Sequence, residues 1–187
     1  LPTGDISLLT AELEKYDWPA LHSFVGGAAR LPESIKLLVS AKTEEEAEIA
    51  ERGIENIALI QGRLSECATP LTSCLVVGLD LAEGRGRGRI FDLLATIAGG
   101  YDDHVDIDSV GPVSVRDCVR RMADKLGLYA KELKENGNAS CVDILLMCGV
   151  YDETVRDFVS DTFRSALELR SCSGIADLIE VSLADLY

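Results

Sequence analysis

The densest run of chemically capable side chains lies at residues 101–111, YDDHVDIDSVG, where Asp102, Asp103, His104, Asp106 and Asp108 crowd together. That many carboxylate oxygens could surround a hard cation. A calcium-loop frame tests the idea. With Asp106 in the first position, Asp108 takes the third, Gly111 the sixth and Asp117 the twelfth. The fifth position is Val110, however, and Asp117 is shorter than the usual bidentate glutamate. Residues 114–121 already read as helix in that frame. The expectation is no metal, with the carboxylates acting as helix caps and solvated charge, or as a ready site for a basic protein.

Nucleophilic and acid–base chemistry find less support. The chain has only two histidines, His22 and His104, and no Gly-x-Ser-x-Gly or His-Glu-x-x-His pattern. His22 follows Trp18 by four, which predicts a packed imidazole beside a structural tryptophan rather than a general base. Six cysteines stand at 67, 74, 118, 141, 148 and 172, without a Cys-x-x-Cys pair. Cys67 and Cys74, like Cys141 and Cys148, are seven apart on one helical face, which predicts buried thiols in a reducing cytosol. A Cys–His pair from distant parts of the chain stays open, but the cysteines' apolar positions argue against it. Residues 83–89, EGRGRGR, do not match a dinucleotide fingerprint and follow no strand. They read as a flexible connection whose arginines pair with an acidic surface. No catalytic residue and no cofactor are expected.

The elements that must position these residues are helical. Residues 43–58 carry Ala47, Ala50, Ile54, Ile57 and Ala58 at steps of three and four, opposite a stripe of Glu44, Glu45, Glu48, Glu51, Arg52 and Glu55. Thr43 and Glu46 make a capping box at its start. After a break at 60–64, Cys67, Ala68, Leu71, Cys74, Leu75 and Leu79 follow the same period, with Pro70 marking a kink or a fresh start. Before this pair lie a helix at 6–16, capped by Asp5 and turning Leu8, Leu9 and Leu13 inward, a short helix at 19–24, a loop at 25–31 and a helix from Pro32 to Ser40. After it come helices at 89–97 and 114–135, the second the longest and opened by Ser114 and Asp117. An almost wholly apolar helix at 141–148 should be central. Asp152 caps a long helix with Phe158 inward, and a terminal helix follows the break at 171–174.

The pattern is all-α, about nine helices in successive antiparallel pairs with no strands, forming one domain over residues 1–187. A stacked helical array, or α-solenoid, is the first expectation and a compact bundle the alternative. Aromatics are 5% of the chain and the hydrophobic fraction is 47%, so Leu, Ile, Val and Ala must build the core. With 32 acidic against 18 basic residues the net charge is −14, which repels nucleic acid and anionic membranes and favours basic partners. Apolar runs such as 144–150 are too short to cross a bilayer. The sequence opens at Leu1 without a signal-peptide pattern, although a non-Met start leaves room for a removed leader. A cytoplasmic protein is expected.

Residues 18–22 (WPALH), the Leu31-Pro32 entry, 57–75 (IALIQGRLSECATPLTSCL) and 91–101 (FDLLATIAGGY) resemble bacterial HEAT-repeat-like proteins. In those proteins the Gln-Gly turn and the Ala-Thr-Pro stretch join two helices of an early repeat. The likeness covers residues 18–119, and Ile60 stands where the pattern has His before Gln-Gly, so any role of that His is absent here. Some such proteins are encoded beside polymorphic toxins and act as immunity proteins. The resemblance therefore implies a non-enzymatic protein that covers a basic partner, a cognate toxin, with an acidic surface. Glu44, Glu45, Glu48, Glu51 and Glu55 on the helix and Asp102, Asp103, Asp106 and Asp108 in the loop are the expected contacts. HEAT-like DNA glycosylases are the enzymatic alternative, but they need a basic groove that a chain at −14 does not offer. A general interaction scaffold is the third reading. The oligomeric state is not legible.

Overall fold

A computed structural model of the protein describes residues 6–103 and 106–187. The described residues are predominantly helical, as the apolar periodicity predicts, and divide into two compact units, Leu1–Cys118 and Val119–Tyr187. Each is taken by itself. The expected Asp5 cap and His104 lie outside the described residues.

In the first unit, α1 (Ile6–Leu13) buries Leu9 and Leu13, whereas Leu8, expected inward, is exposed. Then α2 (Leu31–Ser40), α3 (Glu44–Ala58), α4 (Ala68–Gly78) and α5 (Gly84–Ala98) form the body. The apolar stripe of α3 is buried as its spacing predicts, and its capping box is complete: Thr43 accepts from the Glu46 amide while Glu46 accepts from the Thr43 amide. Pro70 sits in the first turn of α4, where its missing N–H costs no helical bond. The hub is α5, which packs against α2, α3 and α4.

The largest departure from expectation is the start of α5. Residues 84–89 are not a connection but its first turns. Glycine disfavours helix by about 1 kcal/mol per residue, and arginines at a helix N-terminus oppose the macrodipole. Two long-range effects outweigh both. A Cβ on buried Gly86 would lie 2.4 Å from the Leu38 carbonyl oxygen, so only glycine lets α5 lie this close to α2. Arg85 and Arg89, one turn apart, reach the carboxylates of α3, while Arg87 donates to the Leu79 carbonyl (2.5 Å) and covers the Phe91 ring.

Strands also occur where none was expected. After a 3-10 turn at Trp18–Ala20, β1 (His22–Ser23) pairs antiparallel with β2 (Gly26–Gly27), replacing the predicted helix at 19–24. A second hairpin joins β3 (Leu59–Ile60) to β4 (Arg63–Leu64) through Gln61 (φ 50°) and Gly62 (φ 78°). Two consecutive positive φ values match the twist of a tight hairpin. Each strand has only two residues, too few to show alternation. Backbone bonds tie both hairpins to the helices: Phe24 donates to Ile57, Ser65 to Ala58, Cys67 to His22, and Leu64 to Tyr101. The segment expected to be irregular contains a short helix, α6 (Ile107–Val110).

The unit boundary falls within α7 (Val115–Met122). A 3-10 turn at Ala123–Lys125 separates α7 from α8 (Leu126–Asn136), so the predicted longest helix is two helices. The second unit is built around α9 (Ala139–Tyr151), which packs against α8, α10 (Arg156–Leu167) and α11 (Ala176–Asp185). Its apolar run is therefore central within that unit, as expected. Gly137 ends α8 in the left-handed conformation, and Asn138 caps α9 through the Ser140 amide. Asp152 caps a 3-10 turn at Glu153–Val155 rather than the long helix, and Phe158 is exposed rather than inward.

Candidate functional site

The two acidic regions singled out in the sequence meet different fates. On α3, the Arg89 guanidinium bridges Glu44 and Glu51, and Arg85 adds a second contact to Glu44 at 2.5 Å. The hydrogen bond from Arg89 holds the Glu44 carboxyl below its ordinary range. Burial pushes Glu51 above its own, against the pull of Arg89 and with further help from the neighbouring Glu55 charge. Glu48 pairs with Arg52 one turn on. That leaves Glu45, exposed, and Glu55, half-buried, both without a side-chain hydrogen bond or ion pair to any described residue. Only part of the predicted stripe is available to a partner, and the pairing of arginines from residues 83–89 with acidic groups is present.

The loop is spent differently. Asp102 accepts the Val115 amide at 2.8 Å and so caps α7 from a distance, beside Ser114, which accepts the Asp117 amide. Asp106 accepts from the Ser109 hydroxyl at 2.6 Å. The calcium-loop frame is thus occupied by α6 and α7. Asp103 and Asp108 are exposed and make no hydrogen bond or ion pair with described residues.

Two features escaped the sequence reading. The first is His22, which is exposed rather than packed: its amide donates to Glu66 Oε2 at 2.9 Å and its Nδ1 lies 2.5 Å from the same oxygen. Burial raises the Glu66 carboxyl, but the His22 amide and ring outweigh it, and the net shift is downward. The Glu66 amide in turn donates to Val110 at 2.7 Å, and a Cβ on Gly111 would run into its side chain. His22 and Glu66 therefore clasp β1, the entry to α4 and the end of α6. Nothing local signals a pair 44 positions apart.

The second is a groove of about 470 Å³ between α2 and α3, floored by Leu37 and Ile57, with Val25 and Ile49 as exposed apolar shoulders. A further groove of about 430 Å³ shares Asn56 with it and reaches Ile60 and Gly62. Ile49 was legible: it is an isoleucine on the polar face of a helix whose other apolar residues point inward.

All six cysteines are buried thiols. Burial drives Cys67 up to about 11 and Cys148 up to about 12, away from the thiolate needed for reactivity. No described helix is long and apolar enough to cross a membrane. No family model, curated protein or solved structure matches the chain.

Proposed function

We propose that this chain is a non-enzymatic binding protein, an immunity protein that neutralises a cognate toxin by covering its basic surface. In this reading the helices stack as a HEAT-like α-solenoid in the cytoplasm, and the basic partner is held electrostatically. The observation that carries it is the set of exposed carboxylates that internal contacts leave unused. Glu45, Asp103 and Asp108 have no partner among the described residues, in a chain of net charge −14. Such charges accelerate encounter with a basic protein and reject nucleic acid. The toxin identity of the partner rests on the resemblance of residues 18–119 alone.

The test is affinity capture from the source cell, washed at rising salt and read by mass spectrometry. The expected result is one stoichiometric basic protein, released by salt, that arrests growth when expressed without this chain. A clean blank, or recovery of nucleic acid, contradicts the proposal.

A second reading is favoured by the His22–Glu66 pair, since an exposed imidazole oriented by a carboxylate is equipped for proton transfer. It predicts a hydrolytic activity lost in His22→Ala. A substrate screen in which that variant behaves as the parent removes it.

A further inference from the structure

The groove between α2 and α3 can be assigned an occupant. Two neighbouring helices leave a furrow that a third helix fills with side chains at steps of three and four. Here the described residues leave the furrow open, and its shoulders are apolar: Val25, in the turn between β1 and β2, is 62% exposed and Ile49 on α3 56%. Its stretch along α3 from Ile49 to Ile57 measures about 12 Å, which matches roughly eight residues of a helix laid alongside.

The rim decides the charge of what lies there. Glu33 lines the groove, and Glu45, one turn before Ile49, stands unpaired. Arg30 is the basic residue of the lining, while Glu48 and Arg52 neutralise each other, so the balance around the groove is acidic by one charge. We propose that the groove binds an amphipathic helix of a partner protein whose apolar face packs on Val25 and Ile49 and whose flanks carry Lys or Arg. This rests on the binding-protein reading above and adds an apolar groove to its exposed carboxylates.

The experiment selects a phage-displayed library of random peptides, about 12 residues long to allow three turns, against the full chain. Recovered peptides are measured by fluorescence anisotropy. The expected result is enrichment of peptides with apolar residues at steps of three and four and basic residues between them. Ile49→Asp should weaken them about tenfold or more, the loss of a central apolar anchor, with an unchanged helical spectrum. Ile49 is exposed, so the substitution removes no buried side chain. A selection that returns no peptides, peptides without that pattern, or peptides indifferent to Ile49→Asp overturns the proposal. So does dimerisation of the protein itself that Ile49→Asp abolishes, which would give the groove to a second copy. The two readings fail separately. A captured basic protein weakened by Asp103→Arg but indifferent to Ile49→Asp keeps the binding function and discards the groove. Groove-binding peptides without any captured protein do the reverse.

Discussion

The stripe on α3 and the loop at residues 102–108 look equivalent as strings of acidic residues, yet the fold uses them in different ways. The stripe is a structural interface on one side: Glu44 and Glu51 receive arginines from α5, Glu48 is held by Arg52, and Glu45 and Glu55 remain. The loop serves later helices instead: Asp102 caps α7, Asp106 accepts from the Ser109 hydroxyl of α6, and Asp103 and Asp108 make no hydrogen bond or ion pair with described residues. Acidic density in a sequence therefore overstates acidic surface. The available charge is what remains after helix ends and cross-helix arginines have taken their share.

That contrast can be broken at several points. The largest effect belongs to Gly86, whose substitution by Ala forces a methyl against the Leu38 carbonyl and lifts α5 from its seat. Overpacking against backbone costs about 2–3 kcal/mol, so thermal unfolding should shift down by roughly 4–12 °C. An unshifted transition would mean that α5 is not seated by this contact. Arg89→Ala comes next, leaving Glu51 partly buried without its cation; denaturant unfolding should show a loss of about 1–2 kcal/mol. Arg85→Ala, at a largely exposed pair, should stay within about 0.5 kcal/mol. In the loop, Asp102→Ala removes a cap and should cost about 1 kcal/mol, whereas Asp103→Ala should be silent in the same assay. Equal effects at 102 and 103 would erase the distinction between spent and unused carboxylates.

The smallest effect is on pH. Glu44, held low, contributes stability that is present above its unfolded value and disappears as pH falls through its lower folded value. Glu51, pushed up by burial, opposes folding at neutral pH, and that cost is relieved as pH falls through its raised value. Carboxyl NMR titration should therefore show Glu51 taking its proton before Glu44 on the same arginine, with the reverse order as the contradicting outcome.

Much of this was legible. The buried face of α3, its capping box and the central position of α9 in its unit follow from spacing and end chemistry over a few residues. What escaped depends on partners far away in sequence. The run GRGRGR becomes helix because Leu38, Glu44 and Glu51 reward it, and local propensity favours a loop. His22 leaves the core because Glu66 holds it at the surface. Two-residue strands carry too little pattern to be read, although Gln61-Gly62 has the composition of a tight turn. Among candidate binding residues, the acidic ones were identified by type, but their availability was set by arginines in α5 and by the amides of later helices.

The measurement that bears most directly on the binding-protein account is calorimetric titration of the captured basic protein into three forms of this chain. These are the parent, a Glu45→Arg/Asp103→Arg double variant and Glu44→Gln. The account predicts an affinity loss of about tenfold or more in the double variant, as expected when like charges are opposed across an interface, and little change in Glu44→Gln, whose carboxyl already serves Arg89. An unchanged affinity in the double variant, with its helical spectrum intact, would contradict it.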